Sequence, residues 1–127
     1  MTISSKIDPE HNIIIRTASG ELSADDIRNA FNATLEHTDF RKEMNVIWDL
    51  EHADLSKIAA DDLIKIVELI SKASNQRGSD YKIAIVASKD LTFGLSRMFE
   101  GYGVELPTSI MVYRDLESAY HWINSQE

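Results

Sequence analysis

The chain contains no cysteine, which excludes disulfides, thiolate metal sites and cysteine nucleophiles. It is short of positive charge. Thirteen Lys and Arg face twenty-one Asp and Glu, for a formal charge of −8, and the basic residues form no cluster. Such a balance repels nucleic-acid phosphates and anionic lipid, so no nucleic-acid partner is expected. Long apolar runs are also missing. The longest, "IAIVA" at Ile83–Ala87, is far too short to span a bilayer. The opening "MTISSKIDPEHN" lacks the basic-then-apolar pattern of a signal peptide. A soluble, cytoplasmic protein is therefore expected. The five glycines include neither a phosphate-binding loop nor a G-x-S-x-G nucleophile elbow.

What is present is an alternation of strand and helix signals within 127 residues of 43% hydrophobic content, enough for one domain (1–127) with one real core. Ile3–Ile7 and Ile13–Arg16 read as strands joined by the turn "DPEHN", which predicts an antiparallel hairpin. Ser23 with Asp26 three residues on forms a capping-box signature, Leu22 can staple onto Ile27, and Ile27, Ala30, Phe31 and Leu35 continue at helical spacing. "NVIWDL" (Asn45–Leu50) is a third strand, rich in β-branched and aromatic residues. Ala59, Leu63, Ile66, Val67 and Ile70 form a second helical stripe, stopped by Gly78. "YKIAIVA" is apolar on both faces, as suits the middle of a covered parallel sheet. A helix over 89–104, the strand "SIMVY" (Ser109–Tyr113) and an Asp115-capped helix with inner residues Leu116, Ala119, Tyr120 and Ile123 complete the chain. The order β-β-α-β-α-β-α-β-α predicts an α/β fold, mostly parallel after the hairpin, with no repeat or linker.

That order, together with "GELS", "WDL", "FGLSRMFEGYG" and "YRDLESAYHWI", resembles the SpoIIAA-like family. These are small bacterial proteins of the STAS type, distantly akin to the CRAL-TRIO lipid-binding fold. The resemblance covers nearly the whole chain. Its most specific pieces are "GLSRMFE" (Gly94–Glu100) and "ESAYHWI" (Glu117–Ile123). It implies the fold, and it suggests lipid-type ligands and membrane association. STAS proteins of the anti-sigma antagonist kind carry a phosphorylated serine in an Asp-Ser-Ser-Gly stretch opening the second helix. Here the region reads "WDLEHADLSKIAADD", so only Ser56 survives, as a degenerate phospho-site or a plain helix cap.

Chemistry-bearing residues are few. Asp49 and Glu51 in "DLEHAD" would share a face at the carboxyl end of a strand, where ligands of open α/β sheets gather. They could hold Mg²⁺ or serve a small hydrolase or lyase as an acid/base pair. A solvated loop in which Asp49 accepts from a neighbouring amide is the plainer reading. His11, His37, His52 and His121 have no metal-ligand spacing, so no metal or cofactor is expected. Trp48 and Trp122 read as core or rim aromatics.

The segment "KDLTFGLSRMFEGYGV" combines helical spacing with three glycines. At about 100° per residue, Leu91, Leu95, Met98, Phe99 and Tyr102 share one stripe and Phe93 lies roughly 170° away. Interior glycines weaken a helix. The expectation is a non-enzymatic module for a small apolar or amphipathic ligand, covered by a movable 91–103 helix. Leu95, Met98, Phe99 and Tyr102 would line the pocket, Arg97 would meet a head group, and an outward Phe93 would touch a membrane surface or partner reversibly. The competing expectation is a STAS-type regulator that reads a protein partner, or a second copy of the chain, near Ser56.

Overall fold

The computed structural model describes residues 2–125, with the side chain of Thr2 left aside. Five strands lie in one sheet in the order β1 (Thr2–Asp8), β2 (Ile13–Glu21), β3 (Asn45–Asp54), β4 (Lys82–Val86) and β5 (Ser109–Tyr113). β1 and β2 form the antiparallel hairpin, and the remaining pairs are parallel. Each parallel step moves one strand further in the same direction. Right-handed crossovers then put every connecting helix on the same face. These are α1 (Ala24–Leu35), α2 (Ala60–Lys72) with the short α3 (Ser74–Arg77), and α4 (Asp90–Tyr102). The last helix, α5 (Leu116–Ile123), follows β5 and covers the opposite face against β3, β4 and β5.

Strand alternation separates two cores. Ile14, Val46, Leu50, Ile83, Ile85 and Val112 face α1, α2 and α4. Ile13, Ile47, Ala84 and Val86 face α5, where Ala119 and Ile123 meet them. The anticipated stripes on α2 and α5 are the buried ones.

Local signals set the helix ends. The amide of Asp26 donates to Ser23 Oγ at 3.2 Å, and Asp26 Oδ2 accepts from the Ser23 amide at 2.9 Å, a complete capping box. Asp115 Oδ1 accepts from the Ser118 amide at 2.7 Å. Gly78 follows α3, not α2, at φ +90°, and a Cβ there would meet the Glu43 amide nitrogen at 2.9 Å. Glycine is required twice over.

Three expectations need correction. Ser56 does not cap α2. It sits in an exposed turn where its amide donates to Asp54 Oδ1 at 2.9 Å, while Ala59 takes the cap position and Asp62 Oδ2 accepts from its amide at 2.9 Å. "DLEHAD" is no loop but the second half of β3, carried past a register shift opposite Thr17–Ser19 by pairing with β2. The third concerns α4, whose buried residues are Thr92, Ser96 and Phe99. The inward face is thus rotated by roughly 80° from the stripe of large apolar residues. A helix docked closely on its neighbours needs small residues at the contact, and Thr and Ser supply them although they score as polar.

Candidate functional site

That rotation decides which residues of α4 meet the interior. Leu95, Ser96 and Phe99 line a cavity of about 90 Å³ between the sheet and α1, α2 and α4. Met98 and Tyr102 do not; they are 39% and 42% exposed. Arg97 also lies outside, with Nε 3.2 Å from Glu100 Oε1 on the helix surface. Phe93 is not outward. It is half-buried against the edge of the core, with the Arg114 guanidinium 3.8 Å over its ring. Gly94 and Gly101 have no neighbouring group within 4 Å of where a Cβ would stand, so neither marks a close approach.

Most of the cavity wall is aliphatic and aromatic: Leu22, Leu55, Leu63 and Ile66 beside Leu95 and Phe99. The space is several times the ~10–15 Å³ that one water needs. Two arginines interrupt this wall, and sequence reasoning overlooked both.

Arg16 projects from the middle of β2 onto the helical face and is 3% exposed. Its Nη1 donates to Ser5 Oγ (3.0 Å) and to the Ala30 carbonyl (3.3 Å), and its Nη2 donates to Thr34 Oγ1 (2.6 Å). Its cross-strand neighbour Trp48 holds the guanidinium 5.0 Å from the ring centroid. Arg77, at the end of α3, is likewise 3% exposed. It donates through Nη2 to the Met44 carbonyl at 2.5 Å and stacks 3.7 Å over Tyr81, with Phe40 at 5.6 Å. Burial, and then the nearby charge of Arg77, pull the pKa of Arg16 down to about 10. Burial lowers that of Arg77 too, and it raises that of the Tyr81 phenol. For Arg16 the available signal was an arginine directly after three isoleucines inside a strand, sharing a face with Ile14 and Ala18, where alternation calls for an apolar residue.

The carboxylates of β3 form no such site. Asp49 Oδ1 accepts from the Glu51 amide at 3.1 Å, the self-bonding expected of an isolated acidic residue. His52 is exposed. His11 is not isolated: its Nδ1 lies 2.7 Å from Asp8 Oδ2, and with Glu10 the three side chains group at the exposed hairpin turn. The His11 amide also donates to Asp8 Oδ1 at 3.2 Å, so the turn itself draws these residues together. Trp48 lines the cavity, whereas Trp122 packs on the opposite face with its ring centroid 6.1 Å from that of Tyr113.

No family model matches the chain, nor does any of the curated proteins. Among solved structures, it is similar to an uncharacterized protein of the DUF3478 family with a SpoIIAA-like fold from Shewanella loihica PV-4. The TM-score is 0.59 at 17% sequence identity, and the match covers 96% of this chain and 92% of that one. The element order, the hairpin-led parallel sheet and this likeness agree: the chain has a SpoIIAA-like fold.

Proposed function

We propose that the protein is a non-enzymatic binding module for a small apolar or amphipathic ligand, received between the sheet and helices α1, α2 and α4. The observation behind this reading is the cavity of about 90 Å³, walled mainly by hydrophobic side chains. Protein interiors otherwise pack as densely as organic crystals, and spaces larger than a water are few. Trp48 on the wall gives a direct probe. In a Trp122→Phe background, adding 1-octanol or 1-dodecanol should change its emission saturably, and Leu63→Phe, which fills the space, should abolish the change. A flat response to every alcohol from six to twelve carbons would sink the reading.

Such a module meets its lipid source through the outer face of α4 and the turn that follows it. Leu91 is 58% exposed and Val104 is 80% exposed, with Met98 and Tyr102 between them. Charge does not supply the attraction, because Arg97 is paired with Glu100 and Asp90 with Arg114. Contact there is weak and insensitive to salt and lipid charge. Leu91→Ser with Val104→Ser should reduce flotation with neutral phosphatidylcholine vesicles and leave the melting temperature unchanged; unaltered flotation would rule this face out.

A further inference from the structure

The two arginines on the cavity wall have more donors than acceptors. A guanidinium carries five N–H donors and no acceptor. Every partner of Arg16 is a neutral oxygen, and its buried Nε has no protein acceptor. Arg77 spends one nitrogen on a carbonyl, and its buried Nη1 likewise has none. Neither forms an ion pair with a carboxylate among the described residues. Buried cations are normally paired, because an uncompensated charge in a low-dielectric interior is costly. Two on one wall also repel each other, which agrees with the lowered pKa of Arg16.

Both cations are nevertheless held in place by aromatic faces: Trp48 for Arg16, Tyr81 and Phe40 for Arg77. Stacking fixes a guanidinium while leaving its in-plane N–H groups free to donate. The remaining wall is apolar. Resting on the binding-module reading above, we infer that the cavity takes an amphipathic anion. Its carboxylate or phosphate head is received by Arg16 and Arg77, and its hydrocarbon body lies along Leu63, Ile66, Leu95 and Phe99. The head supplies the missing negative charge and accepts from Arg16 Nε and Arg77 Nη1, the charge-assisted geometry for which arginine is suited.

The test compares four probes on the full chain in the Trp122→Phe background, by Trp48 emission and by calorimetry: octanoate, octyl phosphate, 1-octanol and inorganic phosphate. At least one octyl anion should bind ten times or more tighter than 1-octanol, and inorganic phosphate should bind more weakly than octyl phosphate. Which anion wins identifies the head group. Arg16→Met with Arg77→Met should cut the anion preference to less than threefold while 1-octanol still binds. Equal binding of 1-octanol and both octyl anions to the unsubstituted pair overturns the anionic head and leaves the binding module standing. Failure of every octyl probe, with the alcohols from six to twelve carbons flat as well, overturns both. Inorganic phosphate binding as tightly as octyl phosphate overturns the hydrocarbon body. The comparison of probes needs no arginine variant, so a double mutant that fails to fold leaves the test decisive.

Discussion

The two faces of the sheet treat a cation in opposite ways: half-buried Lys82 on one, fully buried Arg16 and Arg77 on the other. On the α5 side, Lys82 reaches from β4 to the end of the helix. Its Nζ donates to the Trp122 carbonyl (2.8 Å), the Ser125 carbonyl (2.9 Å) and Ser125 Oγ (3.0 Å). All three ammonium donors are used, and the positive charge sits at a helix C-terminus, where the dipole favours it. On the other side, Arg16 and Arg77 keep donors without acceptors beside a cavity. The α5 face carries a small tight core of Ile13, Ile47, Ala84, Val86, Ala119 and Ile123. A half-buried cation with every donor used reads as structural. Unsatisfied ones on a cavity wall are the feature on which the proposed anionic ligand rests.

Core truncation puts this contrast to its hardest test. Ile47 is fully buried on the α5 face, and Ile47→Ala should lower unfolding free energy by about 4 kcal/mol. Leu63 borders the cavity and already lacks packing partners on one side, so Leu63→Ala should cost less, about 2–3 kcal/mol. Urea denaturation of both variants measures the gap, and equal losses would mean that the two faces are packed alike.

Next in size come the cations themselves. Lys82→Met removes three hydrogen bonds from a charged donor and should cost about 2 kcal/mol. Arg16→Met also gives up hydrogen bonds, but it relieves an uncompensated buried charge and keeps most of the side-chain volume. Its unfolding free energy should stay within about 1 kcal/mol of the parent protein. A loss from Arg16→Met as large as that from Lys82→Met would make Arg16 a structural residue and erase the distinction.

A smaller pair concerns caps on the cavity side. Ser23→Ala should cost about 1 kcal/mol through loss of its bond to the Asp26 amide, whereas Ser56→Ala should be neutral, because its hydroxyl caps no helix. Thermal denaturation distinguishes them. Smallest is α4. Gly94 is helical with open space around it, so Gly94→Ala should stabilise by roughly 0.5–1 kcal/mol. Amide exchange across α4 should slow with it. If a mobile α4 admits the ligand, the same variant should also bind octanoate more slowly, which stopped-flow fluorescence would show.

Local chemistry made much of this protein legible in its sequence. The hairpin, the Ser23 capping box, the Asp115 cap and the stripes of α2 and α5 depend on residues a few positions apart, and they appear where the spacing put them. Leu95 and Phe99 were also found from spacing, and both reach the cavity. Met98 and Tyr102 were carried along with them by an apolar stripe that is not the docked one, and Arg97, expected to meet a head group, instead pairs with Glu100 outside the cavity. Which face of a helix docks depends on how closely its neighbours approach, and that distance is a property of the assembled layers. Phe93 shows the same dependence, because Arg114, which covers its ring, comes from the far end of β5. The short α3 and the cavity arginines were out of reach for a similar reason. Ile14 and Ile47 announce burial by their own chemistry, whereas Arg16 is buried only because β1, α1 and β3 enclose it with Ser5, Thr34 and Trp48. Sequence by itself determined the order of the long elements and the faces of the strands, since both follow from periodicity. Only the tertiary structure brought Arg16 and Arg77, sixty-one positions apart by their numbers, to one cavity, because contacts between distant segments leave no period in the chain.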